Sequence, residues 1–128
     1  MSIELQLLVW SAVLALVQVV VAAIAANSQV GLPMLAGNRD DMPALTGWAL
    51  RAQRAHLNML ESLVVFAILI LVAHVTGQNN AMTLLGAQLF FWGRLVHAIV
   101  YLIGIPWLRT AVWAVSFAGI LLVLFQLI

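Results

Sequence analysis

Residues 5–26 read LQLLVWSAVLALVQVVVAAIAA, an unbroken run without a single charge. As a helix the run reaches ~33 Å, enough to cross a hydrocarbon core of ~30 Å. It follows Met-Ser-Ile-Glu, which lacks the basic n-region of a signal peptide, so the run is read as a retained span. Working outward, residues 57–75, 81–105 and 107–127 form three more apolar stretches. A closed barrel would show period-two alternation; these stretches are solidly apolar, so helices are predicted. The whole chain agrees: 66% of its 128 residues are apolar, 7% are charged, and the mean hydropathy is +1.16. A soluble domain carries charge on about a quarter of its residues. The expected fold is therefore all-α, one polytopic membrane domain over residues 1–128 with four helices running up and down. A net charge of +1 leaves no basic surface for nucleic acid. The absence of cysteine excludes disulfides, thiolate metal sites and a Cys nucleophile, and no metal site is expected.

The connections differ in length. Thr76 to Asn80 make a short turn between spans two and three, while Gly104 and Pro106 break the chain between spans three and four. The first link, Asn27 to Pro43, contains Gly31, Pro33, Gly37 and the cluster Arg39-Asp40-Asp41. Pro43 suits the first turn of a helix, so helix two is predicted to run from about Pro43 to Val75. Arg39, Arg51 and Arg54 flank the first link and Arg109 the third, whereas the termini and the 76–80 turn carry no arginine. The positive-inside rule then places the 27–43 and 104–110 links in the cytoplasm, across the inner membrane in a bacterium.

Polar residues at membrane depth are costly and point to function. On helix two, Arg51, Arg54, Asn58 and Glu61 fall within an arc of about 80° at 100° per residue. On helix three, Arg94, His97 and Tyr101 form a second stripe. Both lie on the cytoplasmic half of their helices, and Arg109 joins them from helix four. Several readings stay open. Glu61 and Arg94 suit a structural ion pair between helices, Arg51 and Arg54 suit interfacial snorkelling, and His97 suits a hydrogen-bonded structural role. The five Trp residues read as interface anchors or packing, and His74 has no assigned role. Against these stands the convergence of the stripes, whose excess of arginine over carboxylate suggests an anionic ligand. Gly86 and Gly93, seven apart on one side of helix three, allow close approach of another helix. The buried charges are too many for one protomer, so some are expected at a subunit boundary.

The segment RAQRAHLNMLESLVVF, Arg51 to Phe66, resembles the helix-two signature of the membrane-associated proteins in eicosanoid and glutathione metabolism (MAPEG). Gly93-Arg94-Leu-Val-His97-Ala-Ile-Val-Tyr101-Leu is similar to that family's helix-three segment, and Pro106-Trp-Leu-Arg109-Thr110 to its link into helix four. The resemblance implies a homotrimer that holds glutathione between subunits near the cytoplasmic face. Carried over position by position, Arg54, Asn58, Glu61, His97 and Tyr101 are expected to bind glutathione. Arg51 and Arg94 match arginines that are structural or binding. Arg109 matches the thiol-activating arginine, with Tyr101 as the alternative catalytic donor.

Departures from the family pattern narrow the chemistry. Leu57 stands where the prostaglandin-forming branch has an arginine, and agrees with the microsomal glutathione transferase branch. Ser62 lacks the aromatic side chain of the leukotriene-forming branch, and helix one has no arginine near Asn27. The resemblance thus implies a glutathione-dependent transferase or peroxidase. Glutathione is its co-substrate, and a lipophilic electrophile arrives from the surrounding lipid. A non-catalytic glutathione-binding or scaffold protein on the same fold is the alternative. A small proton-coupled exporter is a weaker one, because helix one has no carboxylate after Glu4.

Overall fold

The computed structural model describes all 128 residues, and every regular element in it is helical. The first helix, α1, spans Ile3–Val30, longer at both ends than its apolar run. Ser2 caps it by accepting from the Leu5 N–H at 3.2 Å, and Gly31 ends it at φ +82°. After the single turn α2 (Leu32–Ala36) come three long helices: α3 (Gly47–Thr76), α4 (Ala81–Ile103) and α5 (Pro106–Leu127). The four long helices are each long and apolar enough to cross a membrane. This is an integral, multi-pass membrane protein.

Two boundaries correct the sequence reading. Helix α3 starts at Gly47 rather than near Pro43. The reason is the Gln29 side chain, whose Nε2 donates to the Thr46 carbonyl at 2.8 Å while its Oε1 accepts from the Thr46 N–H at 3.1 Å. This clamp holds Thr46 extended (φ −133°, ψ 166°) and lays the preceding chain along α1, where Leu45 is buried with Ala25, Ala26, Ala49 and Ala52. The third span ends at Ile103, two residues short of expectation, because Gly104 turns left-handed at φ +89°. Ile105 then begins the next helix as its N-cap.

The helices alternate in direction. Asn79, in the α3–α4 turn, donates to Glu4 at the start of α1, and the Asn80 amide donates to Gln126 at the end of α5 at 2.8 Å. At the opposite end the Arg51 Nε, at the start of α3, donates to the Leu102 carbonyl at the end of α4 at 3.1 Å. Helices α4 and α5 form the most closely packed pair. A methyl group added at Gly86 would lie 2.6 Å from the Gly119 carbonyl oxygen, and one at Gly93 would lie 3.1 Å from Ser116 Cβ. The small-residue face foreseen on helix three is therefore used inside the protomer. The core centres on Phe66 and Phe90, whose rings stack at 3.9 Å, with Met59, Ile70, Ala87 and Val123 around them. Large apolar side chains such as Leu16, Ile24, Val64 and Ile68 are instead exposed, as they must be to face hydrocarbon.

Candidate functional site

The polar stripes meet in a cleft between α3 and α5, with α4 as its floor. One part, about 240 Å³, is lined by Asn58, His97, Tyr101, Arg109, Thr110 and Trp113. Asn58 and Trp113 also line an adjoining part of about 230 Å³, together with Glu61, Ser62 and Phe117. Chain geometry explains this convergence. Asn58 and Glu61 are one turn apart on α3, His97 and Tyr101 one turn apart on α4, and Arg109 and Trp113 one turn apart on α5. Three helices crossing at one end each contribute a single face.

Arg94 lies beneath the cleft, 1% exposed. Its Nη2 donates to Asn58 Oδ1 at 2.8 Å, while Nε and Nη1 have no partner. All three guanidinium nitrogens are thus accounted for without Glu61. The ion pair weighed from the sequence does not form, because Glu61 is exposed on the flank of α3 and Asn58 is closer to the α4 surface. His97 is also 1% exposed, with its Nδ1 unpartnered. Its ring meets Tyr101 edge-on at 5.4 Å, and the Arg109 guanidinium sits over the same Tyr101 ring at 4.7 Å. His97, Tyr101 and Arg109 therefore form a continuous stack from the buried floor to the cleft mouth. A cation held over an aromatic face keeps its N–H donors directed outward, available to an anion.

Thr110 is engaged elsewhere: its hydroxyl donates to the Pro106 carbonyl at 3.2 Å, so only its oxygen lone pairs face the cleft. Arg51 lies against Gly104, bonded to Leu102, and fastens α3 to the end of α4 rather than reaching for lipid headgroups. Arg54 is exposed, and neither it nor Arg51 lines the cleft. Trp113 belongs to the site, whereas the sequence alone reads it as an anchor or packing residue. The signal was present in the spacing: Arg109, Trp113 and Phe117 recur every four residues on α5, and the Trp113 and Phe117 rings stack at 5.2 Å. No group of His, Asp or Glu side chains is arranged to hold a metal ion.

The comparison with known families agrees with the motifs that line this cleft. Residues 7–128 match the model of the MAPEG family, nearly the whole chain. Neither the curated proteins nor the solved structures gave a match. With four membrane-crossing helices and a family match running from α1 to the last residue, the chain belongs to the MAPEG family.

Proposed function

We propose that this protein binds glutathione in the α3–α5 cleft and transfers it to, or reduces with it, lipophilic electrophiles that enter from the bilayer. Family membership supports glutathione or eicosanoid chemistry in general. The observation that carries the narrower reading is the Arg109–Tyr101–His97 stack opening on a cleft that also holds Asn58 and Glu61. A thiol is mostly protonated at neutral pH and its thiolate is the nucleophile, so the site must favour the anion. Arg109 supplies a guanidinium in the first turn of α5, where the helix end adds positive potential. The Arg109 N–H groups and the Tyr101 hydroxyl are the donors in this reading. Thr110, occupied by Pro106, contributes an acceptor. The thiol proton leaves to solvent, the sulfur bonds to the electrophilic carbon, and the leaving group departs with its electron pair. Glu61 and Asn58 serve the glutathione amino and carboxylate ends.

Glu61 and Arg54 are exposed and the cleft is open on one side, which supports closure by a neighbouring subunit in a homotrimer. Light scattering of the purified protein is expected to give a trimer; a monomer that still binds glutathione would overturn this. Orientation with the Arg-bearing links in the cytoplasm delivers glutathione to the cleft from that side.

The decisive variant is Arg109→Ala. It is expected to keep the fold and most of the glutathione affinity. The ultraviolet absorbance of bound thiolate and conjugation of a model electrophile should both disappear. Conjugation at the wild-type rate would remove Arg109 as the activator and make Tyr101 the first candidate. Glutathione binding by the wild-type protein without any turnover would instead assign a non-catalytic binding role.

A further inference from the structure

A cavity of about 250 Å³ lies where α1, the link that follows it and the start of α3 meet. Gln53 and His56 line it from α3, and they stand about 140–160° from Asn58 on the helical wheel, so the helix itself separates this cavity from the cleft. Its walls are apolar, among them Val19 and Ala23 of α1 and Met42 of the link, and Arg39 is its one arginine. Val19 is about 10 Å along α1 from Ala26, where the apolar run ends. The cavity therefore reaches from the polar link down to hydrocarbon depth.

Arg39 is the one non-glycine residue with a left-handed backbone, at φ +65°. That conformation is unfavourable for a residue with a Cβ and persists only where its surroundings hold it. The side chain folds back so that its Nε donates to the Leu35 carbonyl at 2.9 Å. The Met42 N–H donates to the Arg39 carbonyl at 3.2 Å, closing a turn with Asp40 and Asp41 at its exposed corners. The guanidinium thus bonds to neither carboxylate, although both follow it directly in the chain. A cation and two carboxylates, none paired with another, stand within one turn whose two ends line an apolar cavity. A purely anionic headgroup there would meet the carboxylates, and a purely cationic one would meet Arg39. A headgroup that carries both signs answers the whole set. Its cationic end must also donate hydrogen bonds to carboxylate oxygens, which a primary ammonium does and a quaternary one cannot.

We propose that this cavity binds a zwitterionic phospholipid with a primary ammonium, of the phosphatidylethanolamine class. Its phosphate lies against the free Arg39 nitrogens, its ammonium donates to Asp40 and Asp41, and an acyl chain runs down the α1 wall past Ala23 and Val19. The site does not depend on glutathione.

The test titrates the full chain in detergent, without glutathione, with the dioleoyl forms of phosphatidylethanolamine, phosphatidylcholine and phosphatidylglycerol, and reads bound lipid by native mass spectrometry. Wild type is expected to prefer phosphatidylethanolamine over either of the others about fivefold, the worth of one exposed ion pair. Asp40→Asn combined with Asp41→Asn, isosteric changes on an exposed turn, should erase that preference. Arg39→Asn keeps a residue that tolerates the left-handed backbone and should weaken all three lipids alike. Ala23→Phe, at an exposed position on the cavity wall, should also weaken all three. Equal binding of the three lipids by wild type, a preference that survives the double Asn variant, or undiminished binding by Arg39→Asn or Ala23→Phe would each overturn the proposal. Stronger binding of phosphatidylglycerol than of phosphatidylethanolamine would overturn it too, and would make the cavity a site for anionic lipid.

Discussion

At the Asn79–Asn80 end of the bundle the polar side chains are paired, whereas at the arginine end several are not. Asn80 alone accepts from the N–H groups of Met82 and Thr83 and donates to Gln126, and Thr83 completes the capping box. Nearby, α4 and α5 touch backbone to backbone through Gly86 and Gly119. At the other end a guanidinium with two unpartnered nitrogens and an imidazole with one lie under an open cleft. Satisfied polar groups and close packing make a rigid end. Unsatisfied ones are tolerated only where the rest of the fold compensates, and such places are where ligands bind. The paired end holds the helices in register so that the unpaired end can keep its donors free.

Substitutions at the two ends should therefore fail differently. The largest effect is expected from Gly119→Val. Even a methyl group there would lie 2.5 Å from the Gly86 carbonyl oxygen and 2.8 Å from the Phe90 nitrogen, both backbone atoms that cannot turn aside. Destabilisation of about 3 kcal/mol or more should appear in thermal unfolding of the detergent-solubilised protein. A near-wild-type melting temperature would break the contrast, since the seam would then not be tight.

Next comes Asn58→Leu, which strips Arg94 of its one acceptor. Loss of a hydrogen bond to a buried charge is worth about 1.5–3 kcal/mol, so the empty protein should melt earlier and bind glutathione more weakly. Loss of binding with unchanged melting would show that Arg94 finds another partner. At the paired end, Asn80→Ala removes the α4 cap and should cost about 1 kcal/mol while leaving glutathione affinity alone.

The smallest stability effect belongs to Glu61→Gln. Glu61 is exposed and does not touch Arg94, so the empty protein should melt within about 0.5 kcal/mol of wild type. If Glu61 holds the glutathione amine, affinity should nevertheless fall, and melting curves with and without glutathione separate the two effects. A large loss in the empty protein would mean that Glu61 pairs with a buried arginine across a subunit boundary.

Hydropathy and spacing are local properties, and they were enough to place four crossing helices, their short turns and the two polar stripes. Each depends only on which residues are neighbours along one helix. The helix-two, helix-three and link motifs likewise carried the family, because a motif is a local pattern. What one helix does to another was decided by packing. Arg94 faces Asn58 rather than Glu61 because the rotation of α3 against α4 brings the former, one turn away, to the contact. Gly86 and Gly93 meet Gly119 and Ser116 within the protomer because the α4–α5 turn, Gly104 to Pro106, folds the two helices tightly together. Helix α3 begins four residues later than Pro43 suggests because Gln29, from another helix, captures Thr46. Periodicity fixes the face on which a side chain stands; the neighbour it meets depends on the rotation, depth and crossing of helices, which no single helix encodes.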